Sequence, residues 1–419
     1  MNSLLKSFVF LSAVFFFSNL PLFMPYWGLP VVPWHTYLLV LGCTLFLATF
    51  RLPHLLRTLP RYLVVWLWLY LIHGILMFLY SSQNPQGLEM LEMRLLNVAL
   101  LGTFLMILNL KAGTAILVQK AILCTVLFST LVNLADFIDP MFSGVEGRAA
   151  GFYINPNIAG RMLSLGMVAS LPLVAGRLRL LFCLLVGVGV FITFSRSGWL
   201  NWAVGIVALT ASGHLVFRHK WPGILFFSLL SVGVIYSLVS GIALELLSAL
   251  NLTQYLTPGT LARISGFESA FTDHSTNERA RIAQYSWEVI QQHPLLGTGT
   301  DLLRWFTEIR PHNMFLLSQA EGGVPGLLMF LALLWLLWRN TDALGQALLA
   351  VYTFSSLFTH NNLEEPAILL ILALIASRRP PNPRLAQRTR VAARQGYPAQ
   401  AGRGWEPQPA LWSQQRFPP

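Results

Sequence analysis

Arg310, His312 and Asn313 stand together at the head of an apolar run, in the stretch RPHNMFLLSQAEGGVPG (residues 310–326). An imidazole titrates near neutrality, so His312 can take a proton as a general base or donate a hydrogen bond to a leaving group. A second use is equally open to it, as a histidine satisfied at a helix start with Asn313 as the cap. Further arginines lie near the ends of apolar runs or in the loops between them: Arg94, Arg148, Arg161, Arg196, Arg263, Arg279, Arg281 and Arg304. A guanidinium stays charged and matches phosphate oxygens in pairs, so such a set suits phosphate or pyrophosphate. Singly, each could snorkel to lipid headgroups or pair with loop acids such as Glu146 or Glu278. An anionic ligand on one face accounts for them together.

Other chemistries find little support. His312 and His293 have no Cys or carboxylate at ligand spacing, and His360 with Glu364 and Glu365 belongs to another loop, so no metal is expected. Asp136 and Asp139 could hold a divalent ion, although capping their loop is the simpler use. No phosphate-binding glycine loop, nucleophile elbow or Cys/His finger occurs, which argues against nucleotide-driven transport and hydrolase chemistry. No cofactor is implied. Cys43, Cys124 and Cys183 fall inside apolar runs and read as small buried hydrophobes.

The elements that must position these residues are set by composition. Of 419 residues, 55% are hydrophobic and only 11% charged. A water-soluble domain needs about a quarter of its residues charged, so this chain is solvated by lipid. The net charge of +11 does not indicate nucleic acid, because much of it lies in the tail after Ala376. A membrane-crossing helix takes about 20 apolar residues. Candidate spans fall at 7–26, 35–50, 62–80, 95–110, 118–137, 157–176, 180–196, 198–217, 222–245, 318–338, 343–359 and 366–377. The expected fold is therefore an all-α polytopic membrane protein of about twelve transmembrane helices. The first apolar run lacks a small-residue cleavage site and is expected to be retained. With the N-terminus inside, every cytoplasmic connection carries Lys or Arg, and both termini are cytoplasmic. The arginines above then fall on the opposite face.

Four regions follow: helices one to nine over 1–245, a long outer loop over 246–317, helices ten to twelve over 318–377, and a basic tail over 378–419. The tail is Pro- and Arg-rich, and its composition predicts cytoplasmic disorder with possible contact to anionic headgroups. Within the loop, Ser275 and Glu278 fit a capping box that opens an amphipathic helix to about Gln292. Pro294, Gly297 and Gly299 end it. Arg279, Ile282, Ala283, Ser286, Val289 and Ile290 share one face, so Arg279 is expected to project toward the membrane domain. Arg281, Gln284, Glu288 and Gln291 share the other.

His312-Asn313, nine residues, then Gly323-Val-Pro-Gly326 resembles the H[NSQ]-x9-GxxG motif of bacterial O-antigen ligases. Arg148 in RAAGFYINPNIAG, Arg196 in TFSRSGWL and Arg279 in NERARIAQYSWEVIQQHPLLGTG agree in order, so the resemblance covers residues 140–340. It implies a metal-independent, inverting glycosyltransferase of the GT-C type in the bacterial inner membrane. Its donor would be an undecaprenyl-pyrophosphate-linked glycan and its acceptor the lipid A–core oligosaccharide, joined on the periplasmic face to complete lipopolysaccharide. Arg148, Arg196, Arg279 and Arg281 would bind the pyrophosphate. His312 would be base or phosphate contact, with Asn313 orienting it. An O-antigen polymerase or an O-linked protein oligosaccharyltransferase would use the same donor; a transporter of lipid-linked glycans would bind it without chemistry. Gly322, Gly323 and Gly326 would let another helix or a lipid pass close to the backbone.

Overall fold

A computed structural model describes residues 3–81, 85–145, 147–216, 242–249, 253, 274–301 and 310–380. Among them the only regular structure is helical: α1 (Ser3–Phe17), α2 (Leu20–Tyr26), α3 (Pro33–Thr49), α4 (Leu52–Thr58), α5 (Arg61–Tyr80), α6 (Pro85–Asn109), α7 (Thr114–Ile138), α8 (Pro156–Ser170), α9 (Arg179–Phe191), α10 (Arg196–Ala211), α11 (Ile242–Ala249), α12 (His274–Gln292), α13 (Met314–Asn340), α14 (Ala343–Ser355) and α15 (Pro366–Ser377), with short 3-10 turns between. The chain divides into two compact units, Met1–Arg379 and Pro380–Pro419, and the described fold is that of the first. Arg263, Arg304, most of the ninth expected span and nearly all of the basic tail lie outside the described residues, as do the side chains of Ser275 and Thr276.

Four described helices, α5, α6, α7 and α13, are long and apolar enough to cross a membrane. The count reaches six if the bent pairs α1–α2 (57°) and α3–α4 (104°) are each one span. Twelve full-length spans are thus not reached among the described residues. The expected segments at 157–176, 180–196, 198–217, 343–359 and 366–377 do form helices, but short ones of 15, 13, 16, 13 and 12 residues. Local chemistry stops several of them. Asn155 caps α8, accepting from Asn157 N, and Ser195 caps α10, accepting from Gly198 N. Asp342 caps α14, accepting from Gly345 N.

The core is built on α8 and α15. Every residue of α15 from Pro366 to Ala376 is buried, packed against α6 and α1. Its unbroken apolar sequence reflects burial among helices on all sides rather than contact with lipid. α8 is nearly as enclosed, between α10, α7, α9 and α14. At its crossing with α10, a Cβ on Gly160 would stand 2.9 Å from Gly198 Cα, so the two backbones touch. The outward faces of α3, α5 and α7 carry the large exposed apolar side chains, among them Phe46, Trp68 and Leu131. Cys43 and Cys124 are on those faces and only Cys183 is buried, which corrects the reading of all three as core residues. The first two residues of the expected tail belong to the body. Arg378 makes a two-pronged pair with Asp342 (2.7 Å each), and Arg379 donates to Thr58 O.

Candidate functional site

The N-termini of α8, α10 and α13 open on one cleft of about 150 Å³. Its walls include Asn155, Asn157 and Arg161 from the start of α8, Ser197 and Asn201 from α10, and Arg279 from α12. His312, Ser355 and the loop 358–361 close the other side. Helix N-termini present unpaired N–H groups and the positive ends of their dipoles, so the cleft favours an anion before any side chain is counted.

The backbone contact of Gly160 with Gly198 is what brings α8 and α10 together here. Ser195 Oγ donates to Asn157 Oδ1 at 2.8 Å across that crossing. Arg148 lies behind this wall and is buried. Its Nε donates to Thr193 O (2.9 Å) and its Nη2 to Asn157 Oδ1 (3.2 Å). It therefore braces the break between α9 and α10 and touches the cleft through Asn157. Arg196 is the first residue of α10 and is exposed, between Ser195 and the cleft-lining Ser197. Asp136 ties down the loop that delivers Arg148. Its two oxygens accept four backbone N–H groups, from Met141, Phe142, Ala150 and Gly151, the capping role foreseen for it.

α12 runs to Gln292, and its two faces divide as the spacing predicts. Ile282, Ser286, Val289 and Ile290 are buried, while Arg281, Gln284, Glu288 and Gln291 are exposed. Val289 and Ile290 pack with Ala320 and Leu316 of α13. Arg279 lines the cleft, yet it remains solvent-exposed rather than desolvated. Arg281 is exposed on the other face and is not among the lining residues.

His312 is half-buried on the cleft wall. Burial and then the nearby Arg279 charge hold its imidazole below the ordinary histidine value, against a smaller opposing pull from Glu278. Both effects favour the uncharged ring. Asn313 is the N-cap of α13, its Oδ1 accepting from Phe315 N (2.9 Å) and Leu316 N (3.1 Å). It fixes the helix start, and so the backbone from which His312 projects.

The glycines have a specific partner. The connection after α12 lies along α13: Thr298 N donates to Ala320 O, Gly299 N to Glu321 O (both 2.9 Å), and Val324 N to Pro294 O (3.2 Å). α13 bends there at Gly323 (φ 59°, ψ −156°), a conformation essentially restricted to glycine. A Cβ on Gly297 would meet Glu321 O at 2.5 Å. What passes close to the backbone at Gly323 is thus the loop that follows α12, whereas Gly322 and Gly326 face His73 of α5. Pro325 restarts the helix after the bend, where a missing N–H is tolerated.

Two arginines on this face turn out to be framework. Arg161 is buried and bonds Glu365, with Asn362 Oδ1 at 2.6 Å. Arg310 is buried between Asp301 and Glu364, 2.7 Å from each. Burial opposes its charge, but Glu364, Glu321 and Asp301 together raise it above its ordinary value. The pairing of Arg310 with Glu364 joins residues 54 apart, and that of Arg161 with Glu365 residues 204 apart. Nothing in local spacing could have announced either. His360 is a further residue that sequence reasoning set aside; its ring centroid lies 5.1 Å from that of His312.

No curated protein matches the chain. Residues 181–331 match the family model described as O-antigen ligase. That stretch, less than half of the chain, holds Arg196, α12 with Arg279, His312 and the glycine bend, so over it the chain is similar to that family.

Proposed function

We propose that this protein transfers a glycan from undecaprenyl pyrophosphate to a sugar hydroxyl of the lipid A–core oligosaccharide, on the periplasmic face of the bacterial inner membrane. The observation that carries the reading is a single cleft ringed by helix N-termini and holding Arg279 and His312, both of which fall in the family-matched stretch. The acceptor hydroxyl attacks the anomeric carbon as the bond to the pyrophosphate oxygen breaks, and the electron pair leaves on the pyrophosphate. One such displacement inverts the anomeric centre and needs no protein nucleophile. Charge grows on the leaving phosphate, so Arg279 and the N–H groups at the starts of α8 and α10 stabilise the transition state more than the ground state. Arg196, exposed at the head of α10, extends the same anion-binding surface, while Arg281 would reach only the rim. Arg148 would act through Asn157. No cofactor or metal has a part in this scheme.

His312 serves as the base. A ring held neutral beside a cation is suited to accepting the hydroxyl proton, whereas a phosphate ligand would be better served by imidazolium. Asn313 directs it through the helix start.

The test is glycan transfer by the purified chain, given an undecaprenyl-pyrophosphate-linked glycan and rough lipopolysaccharide. A ligase extends the lipid A–core, and His312→Ala abolishes that product without loss of expression. Lengthening of the donor instead would reassign the protein as a polymerase, and consumption of neither substrate would exclude both.

A further inference from the structure

Beside the cleft lies a second, more enclosed chamber of about 60 Å³, between α5, α6 and α13. It contributes nothing to pyrophosphate binding as described above, yet it is dense with ionisable groups. Tyr70 and His73 face it from α5, Arg94 from α6 and Glu321 from α13, with Arg310 and Glu364 closing one end. Glu321 is buried, and its Oε1 makes no hydrogen bond among the described residues. The same holds for Thr300 Oγ1, both ends of the Asn97 carboxamide and Arg94 Nη1. Unsatisfied buried polar atoms around a space of this size call for a few water molecules.

Two features link the chamber to the chemistry. His360 lines both the cleft and the chamber, and its ring neighbours that of His312 at 5.1 Å between centroids. The electrostatics also run in one direction. A proton on His312 creates an imidazolium beside Arg279. In and around the chamber, the two arginines Arg94 and Arg310 face three carboxylates, Asp301, Glu321 and Glu364. A positive charge is therefore repelled at the cleft and attracted at the chamber.

Building on the transfer reaction proposed above, we propose that His360 and Glu321 form a proton relay that discharges His312. The acceptor O–H bond breaks as its oxygen joins the anomeric carbon, and His312 takes the proton. His360 accepts it from His312 and gives it, through chamber water, to the Glu321 carboxylate, which later releases it to solvent. The relay restores the neutral base while product still fills the cleft. Glu321 and His360 act through His312 and do not touch the reacting atoms.

The experiment uses the full chain with the same donor and rough lipopolysaccharide. Glu321→Gln preserves the shape of the side chain and removes the proton acceptor. A relay predicts a fall in kcat of about 100-fold or more with KM for both substrates unchanged, within the range for proton-transfer catalysis. It also predicts that imidazole buffer, as an alternative proton acceptor, restores the rate of the variant and leaves the wild type unaffected. His360→Gln, on the loop between α14 and α15, should behave the same way and carries the test if Glu321→Gln fails to fold. A wild-type kcat in both variants overturns the relay, as does a loss that imidazole does not restore. If the wild type itself transfers no glycan, the reading of the reaction and the relay fall together; transfer by the wild type with unchanged variants overturns the relay alone.

Discussion

Arg279 and Arg310 are both arginines near one end of the helix bundle, and they differ in every other physical respect. Arg310 is buried, with a carboxylate 2.7 Å away on either side. Arg279 is exposed on the cleft wall, beside a histidine whose proton affinity it lowers. A buried cation has to be compensated by the protein itself, and once compensated it has little left for a ligand. A cation exposed on a cleft wall stays accessible to an anionic ligand. The same residue type in the same region thus builds the framework in one case and offers a binding group in the other.

Truncating both arginines exposes that difference most directly. Arg310→Ala removes the guanidinium that stands 2.7 Å from both Asp301 and Glu364, Asp301 being completely buried. Removing one partner of a buried pair costs about 3–5 kcal/mol. Thermal unfolding in detergent should therefore show a large drop in melting temperature. Arg279→Ala should leave that temperature almost unchanged, because surface substitutions fall within about 0.5 kcal/mol. Transfer activity should instead fall by about 100- to 1,000-fold, the effect of losing one donor to a developing oxyanion. If Arg279→Ala melts early with activity per folded molecule intact, the division between the two arginines is wrong.

The bend in α13 links the two regions, and breaking it should damage both. At Gly323 an alanine would have to adopt φ 59°, ψ −156° and also displace the Leu295 backbone. The conformational part alone is on the order of 1–3 kcal/mol. Gly323→Ala should lower the melting temperature by less than Arg310→Ala, and lower activity because α12 no longer presents Arg279 to the cleft. Restoring stability with a binding lipid while activity stays low would support the positional role; full activity would remove it.

How these parts could be read from sequence depends on the range of the interaction. The faces of α12 come from i, i+3, i+4 spacing within one helix, so Ile282, Ser286 and Val289 were recoverable. Its end at Gln292 was fixed by Pro294 and the two glycines that follow. The role of Arg161, and that of Arg310 through Glu364, depends on acids far along the chain, which no local pattern encodes. The span count among the described residues stops at four to six for a related reason. Apolar content shows that a segment avoids water, but not whether lipid or other helices surround it. α15 and α8 are apolar because they are central. Breaks such as the one at Ser195 shorten helices in order to aim their N-termini at the cleft.

The environment of His312 gives a finer comparison, readable as pH dependence. In the proposed transfer its neutral form is the active base, so the rate should fall as pH drops through the His312 pKa. That value is held below the ordinary histidine range by burial and by Arg279. The acid limb of kcat/KM should then lie below about 6.5, the unperturbed value. In Arg279→Gln the cation is gone and Glu278 is left to pull the other way, so the limb should move to higher pH. A limb that stays in place when Arg279 is neutralised would mean that its charge does not reach the ring. A limb that moves down would contradict the sign outright.

Asn313 should give the smallest effect and the most specific one. Its carboxamide oxygen caps α13 through Phe315 N and Leu316 N, and replacing a good cap with alanine costs about 1 kcal/mol. Asn313→Asp and Asn313→Ser retain an acceptor at the same position and should restore that stability, as judged by melting temperature in detergent. If the residue serves His312 only by fixing the helix start, activity should follow stability across the three variants. Asp at this position would also bring a negative charge close to His312 and raise its pKa, shifting the acid limb upward while the melting temperature holds. Serine, which caps without charge, should leave the limb where it is. Activity lost in the serine variant despite a preserved melting temperature would show that the carboxamide acts on the ring or the substrate itself, and not through the helix.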